Sequence, residues 1–213
     1  MFISLNGPDN VGKTTHLRRL AARFSNIQLL GSVHEHDAAA WERVAGEDYA
    51  AWWFERSTTA ELTGLLLDSY DKRSAALEPG RVGLLDRGLR MLIAVSAATA
   101  SVKEASSPAE ALGAVELIAA SRTPAREMSV LLLPSLDADR SYAITSEREG
   151  RPWTGVYPAY QRALHGLLLH QVEQGAYAEV VDCEGKSIEQ VQAEVMSVAG
   201  PVLSPSTYAE DSR

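Results

Sequence analysis

Gly7-Pro8-Asp9-Asn10-Val11-Gly12-Lys13-Thr14-Thr15 constrains this chain more than any other feature. The segment satisfies G-x-x-x-x-G-K-[ST]. It follows a short apolar run, Phe2 to Leu5, that reads as a strand, and it opens a stretch from Lys13 to Phe24 that reads as a helix. Strand, glycine-bearing loop and helix in that order form a phosphate-binding P-loop. The glycines let the chain turn back so that successive amides point at phosphate oxygens. This predicts a nucleoside triphosphate, ATP, held by Gly7, Asn10, Val11, Gly12, Lys13, Thr14 and Thr15. Lys13 supplies a point charge, and the Thr14 hydroxyl is offered to Mg²⁺.

A P-loop needs a sheet to stand on, and the rest of the chain supplies one. Short β-rich runs alternate with longer helical stretches, the pattern of βαβ units and a parallel sheet. Five strands are expected, at Phe2 to Leu5, Ile27 to Leu30, Val82 to Leu85, Val130 to Leu133 and Glu179 to Val181. Helices are expected over Lys13 to Phe24, Tyr49 to Leu77, Leu89 to Ala100, Ala109 to Ser121, Pro158 to Gln174 and Ile188 to Val198. The last opens on a Ser187-x-x-Gln190 capping box, with Gly200-Pro201 as its stop signal. The fold class is therefore α/β, a three-layer P-loop NTPase-type fold with a five-stranded parallel sheet flanked by helices. One domain over residues 1–203 is expected, followed by a flexible tail at 204–213.

Composition narrows the class of ligand. With 20 Lys+Arg against 28 Asp+Glu the net charge is −8, which argues against a general nucleic-acid binder. A small anionic ligand is compatible with it, because a nest of amides sets the local field. No run of about 18 apolar residues suggests a membrane span, and Met1 leads directly into the first strand without a basic leader, so a cytoplasmic protein is expected. The single cysteine, Cys183, permits neither an internal disulfide nor a zinc cluster and reads as a small buried residue.

Other polar clusters extend the site. Leu84-Leu85-Asp86-Arg87 ends a buried-looking strand, where open α/β sheets place their ligands. Asp86 can stand near Mg²⁺ or the acceptor, and Arg87 can neutralise charge on a transferred phosphoryl group. Ser146 to Gly155 is rich in Arg and Gly and reads as a mobile lid, spanning about 143–156, with Arg148 and Arg151 as catalytic arginines that help exclude water. Trp52 and Arg56 are four apart, so in a helix they share a face and can stack on and hydrogen-bond a planar base; the same aromatic run also suits a core. His34-Glu35-His36 lacks the i, i+4 spacing of helical metal ligands and is not expected to bind metal. Glu35 is the more interesting member, as a polar group facing the acceptor.

Together these segments resemble the thymidylate kinase family of P-loop nucleoside monophosphate kinases over most of the chain. The resemblance rests on Phe2 through Thr15, Trp52 through Arg56, Asp86-Arg87, the arginines before Tyr157, and Val180-Val181-Asp182 followed by Ser187 to Val191. It implies a sugar-hydroxyl contact for Asp9, base stacking by Trp52, base recognition by Arg56, and an adenine site bordered by the C-terminal segments. It also makes a homodimer compatible with the chain. The departures lie on the acceptor side: His34-Glu35-His36-Asp37 replaces Arg-Glu-Pro-Gly, Gly88 stands where an aromatic is usual, and Leu89-Arg90-Met91-Leu92 replaces the family's small polar and aromatic residues.

The function expected is ATP-dependent phosphoryl transfer to a nucleoside monophosphate, dTMP or a related pyrimidine nucleotide. A second reading is a kinase acting on a hydroxyl of a nucleoside or other small metabolite, with Glu35 or Asp86 as base. A third is a nucleotide-binding protein without turnover.

Overall fold

The computed structural model describes residues 1–46, 48–122, 125–149 and 154–204. Five strands form one parallel sheet in the order β2-β3-β1-β4-β5, where β1 is Phe2–Asn6, β2 Ile27–Gly31, β3 Val82–Asp86, β4 Glu127–Leu133 and β5 Glu179–Asp182. The expected strands are all present, within a few residues at each end. Register places Leu5 beside Asp86 and Leu5 beside Val130, so the loop after β1 emerges between the ends of β3 and β4.

Side chains of the inner strands alternate between two apolar layers, as the pleat requires. Ile3, Leu5, Val130 and Leu132 face a core shared with helix α1, Lys13–Arg23, and helix α10, Ile188–Leu203. Leu131 and Leu133 face the other way, into the larger core. That core is filled by α5 (Thr59–Ala75), α6 (Leu89–Lys103), α7 (Pro108–Ala119) and α9 (Tyr157–Glu173). Helix α1 turns Lys13, His16, Leu17 and Leu20 inward, the i, i+3, i+4, i+7 stripe of a half-buried helix.

Several expectations about helices are corrected. The single helix expected from Tyr49 to Leu77 is broken in two. A short turn, α4 (Tyr49–Ala51), runs into a π-helical segment at Trp52–Arg56, and α5 starts afresh at Thr59. The break is encoded by Thr58-x-x-Glu61: the Thr58 hydroxyl accepts from the Glu61 amide while the Glu61 carboxylate accepts from the Thr58 amide. Ser57 is consequently extended, and its amide donates to the Trp52 carbonyl five residues back at 2.9 Å. Two short helices that the sequence reading lacked, α2 (Val33–His36) and α3 (Ala38–Ala45), follow β2. The stretch expected as a lid loop is helical as far as Glu149, forming α8, Ala138–Glu149. Gly200-Pro201 does not stop α10, which continues to Leu203; that side chain is fully buried and anchors the last turn. The expected tail lies, from residue 205 on, outside the described residues.

Candidate functional site

The loop between β1 and α1 is shaped by two glycines. At Gly7 (φ +132°) a Cβ would lie 2.1 Å from the Leu132 carbonyl oxygen of β4, so no larger residue fits. Gly12 (φ +99°) is the N-cap of α1 and occupies backbone space that side-chain-bearing residues avoid. Lys13, buried, folds its Nζ back to donate to the Pro8 carbonyl at 2.7 Å. Burial pulls its pKa down to about 7, with Arg87 pushing the same way and Asp86 and Asp9 opposing. A phosphate oxygen arriving in this loop would offset, by its negative charge, both the cost of burying the ammonium and the Arg87 repulsion.

Asp86 ends β3 directly beside the loop. Its Oδ2 accepts from the Thr14 hydroxyl at 2.7 Å, whereas its Oδ1 is buried without a hydrogen-bond partner among the described residues. An orphaned carboxylate oxygen beside a hydroxyl is a hard-oxygen donor pair, and it fits Mg²⁺ arriving with ATP. Thr14 and Asp86 are therefore the residues that would hold the ion.

Arg87 is a non-glycine residue at φ +64°, a left-handed conformation that costs about 1 kcal/mol or more. Its neighbours hold it there. The Arg87 amide donates to the Leu5 carbonyl at 3.0 Å, and the Gly88 amide to Asn6 Oδ1 at 2.8 Å. The fully buried Arg73 of α5 donates to the carbonyls of Gly31 (3.0 Å), Asp86 (2.9 Å) and Arg87 (2.6 Å). Arg73 thus ties the ends of β2 and β3 together and aims the Arg87 side chain at Asp9, with which it forms an ion pair. Asp9 Oδ2 also accepts from the Tyr157 hydroxyl at 3.0 Å. Burial acts to raise the Asp9 pKa, but the charges of Arg87 and Lys13 and the Tyr157 hydrogen bond outweigh it and hold the carboxyl below its ordinary value.

Two hollows flank the loop. One, of about 290 Å³, is lined at its polar end by Asp9, Ser32, His34, Asp86 and Arg87, and along its wall by Val33, Tyr49, Ala50, Trp53, Phe54, Leu66, Leu92, Val95, Tyr157 and Tyr160. Its size and its apolar wall with a few convergent polar groups are those of a small-molecule site. The other, also about 290 Å³, is lined by Asn10, Val11, Gly12, Thr15, His16, Arg148, Cys183, Lys186, Ile188 and Val191. It borders the β1–α1 loop on the side of β5 and α10.

The structure brings the sequence-selected residues together unevenly. Gly7, Asp9, Asn10, Val11, Gly12, Lys13, Thr14, Thr15, Asp86 and Arg87 converge at the carboxyl ends of the inner strands β1 and β3. Arg148 reaches the loop from α8, donating to the Asn10 carbonyl at 3.0 Å, while Asn10 donates to Glu149 at 2.8 Å. Arg151 lies outside the described residues. Glu35 is turned away from the hollow: its carboxylate accepts from the Ser32 amide and hydroxyl, each at 3.0 Å, and caps α2. Trp52 and Arg56 do not line the hollow either. The wider π turn rotates the aromatic run, so Trp53 and Phe54 form the wall, Trp52 packs edge-on against Trp41, and Arg56 donates to the Asp48 carbonyl at 2.8 Å. His34 and Tyr157 are pocket residues the sequence reading did not select, and Arg73 carries no local signature. The Thr58-x-x-Glu61 box was the available signal for the shifted wall.

Among the described residues no group of three or more His, Cys, Asp or Glu is arranged to hold a metal, and no helix is long and apolar enough to cross a membrane. The solved structure of thymidylate kinase from Candida albicans is similar to this chain, with a TM-score of 0.64 over 94% of this chain and 91% of that one. The chain has the P-loop NTPase fold. Sequence identity over that match is 16%, so the likeness extends to the fold alone. No protein-family model matches the chain, and no curated protein matches its sequence.

Proposed function

We propose that this protein is an ATP-dependent phosphotransferase of the nucleotide-kinase type, moving the γ-phosphoryl group of ATP to a small planar acceptor. One observation carries the reading: Lys13, the Thr14–Asp86 pair and Arg87 meet at the ends of adjacent strands β1 and β3, with one hollow on each side of the loop. The hollow against β5 and α10 is assigned to the adenosine of ATP. The aromatic hollow is assigned to the acceptor, so the two substrates face each other across the loop.

In this arrangement the loop amides and Lys13 hold the β- and γ-phosphates, and Arg87 meets charge developing on the transferred group. Thr14 and Asp86 would hold Mg²⁺, which supplies neutralisation of the phosphate oxygens when bound. Arg148 closes over the loop from α8. Trp53, Phe54 and Tyr157 orient the acceptor and exclude water, which would otherwise compete as nucleophile. The family resemblance favours thymidylate or a related pyrimidine monophosphate as acceptor. The ion pair that commits Arg87 to Asp9 favours the other acceptor class, a hydroxyl.

The deciding assay is ADP release from Mg·ATP by purified protein over matched nucleosides and nucleoside monophosphates, with Lys13→Ala as control. Acceptor-dependent ADP release that disappears in the variant is expected. Tight ATP binding with no acceptor-dependent turnover anywhere in the panel would instead make this a nucleotide-binding protein without transfer.

A further inference from the structure

The polar end of the acceptor hollow carries two carboxylates, Asp9 and Asp86, against one guanidinium, Arg87. The guanidinium is already paired with Asp9, and Asp86 faces Thr14. A monophosphate entering here would bring close to two negative charges beside Asp9, whose ion pair already takes up much of the charge of Arg87. The remaining polar groups offer no counter-charge. Ser32 is a hydroxyl. His34 packs against Trp41 with its ring tilted by 37°, 4.1 Å between ring centres, and is hydrogen-bonded to the Tyr49 hydroxyl at 2.8 Å. Burial, reinforced by the charge of Arg87, holds the His34 pKa below its ordinary value, so the ring is neutral at neutral pH.

A hydroxyl meets a different reception. Among the described residues each Asp9 oxygen has one partner, Arg87 on Oδ1 and Tyr157 on Oδ2, and a carboxylate oxygen accepts two hydrogen bonds. An acceptor O–H can therefore be added without breaking either contact. We infer that the acceptor is an uncharged planar molecule of nucleoside type carrying an alcohol group, and that Asp9 is the catalytic base that receives its proton. The acceptor oxygen forms the new bond to the γ-phosphorus, and the bond from that phosphorus to the β,γ-bridging oxygen breaks. ADP leaves with the electron pair, and the hydroxyl proton passes to Asp9 and then to solvent. Arg87, already against Asp9, stands beside the group in transit. This inference rests on the phosphotransferase reading and specifies its acceptor.

The test separates the two claims. Calorimetric binding of Mg·ATP to wild type and Lys13→Ala checks the donor side; equal affinities would overturn the phosphotransferase reading. Thymidine and deoxycytidine are then compared with their monophosphates, by quenching of Trp53 fluorescence in wild type against Trp53→Phe and by turnover. The expected result is at least tenfold tighter binding, and at least tenfold higher kcat/KM, for each nucleoside over its monophosphate. Asp9→Asn should lower kcat on the nucleoside about a hundredfold or more with its KM changed by less than about fivefold, and Asp9→Glu should recover part of it. Tighter binding or faster turnover of either monophosphate, or binding by no member of either series, overturns the acceptor class. An Asp9→Asn enzyme that keeps its kcat overturns the assignment of the base.

Discussion

The two halves of the cleft are assembled from the chain in different ways. The half proposed to bind phosphate is one contiguous stretch, Gly7 to Thr15, completed by a strand end. The wall of the proposed acceptor hollow gathers residues from Asp9 to Tyr160, out of the β2–α2 turn, the π segment, α5, α6 and α9. Contiguity makes the first half robust, since its geometry is set by the loop and by the Leu132 carbonyl that Gly7 presses against. The second half depends on helix packing and can be remodelled by a one-residue change in helical phase. The π segment at Trp52–Arg56 is such a change.

The largest expected effect tests the contiguous half. Lys13→Ala removes the only loop ammonium, and kcat should fall about a thousandfold or more while far-UV circular dichroism stays at wild type. A folded variant retaining a tenth of the activity would break the assignment of this loop to chemistry. Next is Arg73→Met, aimed at the residue that joins the halves. Three strand-end carbonyls lose their donor, so urea unfolding should show a loss of about 3 kcal/mol, with activity falling as Arg87 is released. An unchanged midpoint would show that the left-handed Arg87 is held by its own amide bond to Leu5 without the clamp.

What was legible in the sequence follows the same division. The P-loop, the strands and Asp86-Arg87 were readable because each is local: a glycine pattern, an apolar run, a polar pair at a strand end. Ser187-x-x-Gln190 was readable for the same reason and is present in the structure. Trp52 and Arg56 were selected on an α-helical spacing of four, and the wider turn forced by the Thr58 cap moved the wall to Trp53 and Phe54. Glu35 was read as a polar group facing the acceptor, whereas Ser32 three residues earlier claims it as a cap. Arg73 was invisible, because its role depends on β2, β3 and α5 meeting, which no short segment encodes.

A milder pair of variants sharpens that point. Phe54→Ala removes an aromatic face from the acceptor wall and should raise the acceptor KM about tenfold, with the KM for ATP unchanged. Arg56→Ala should alter the acceptor KM by less than about twofold, because its guanidinium is spent on the Asp48 carbonyl. The reverse ranking would restore the spacing-based choice and show that the helix regains α-helical phase when substrate binds.

The smallest effects belong to the two caps. Ser187 caps α10, whose Ile188 and Val191 line the proposed donor hollow, and Thr58 caps α5 immediately after the π segment that carries Trp53 and Phe54 of the proposed acceptor wall. Replacing either by alanine should cost about 1 kcal/mol, a fall in Tm of roughly 2–4 °C for a chain of this length. Stability alone therefore does not tell them apart, but kinetics should. Ser187→Ala loosens the first turn of α10 and should raise the KM for ATP about two- to threefold without touching the acceptor. Thr58→Ala removes the reason for the helix to restart at Thr59, lets the π segment relax toward α-helical phase, and should raise the acceptor KM by a similar factor with ATP unaffected. If each variant shifted both KM values equally, the halves would be mechanically one unit, and the strand ends tied by Arg73 would be the element that couples them.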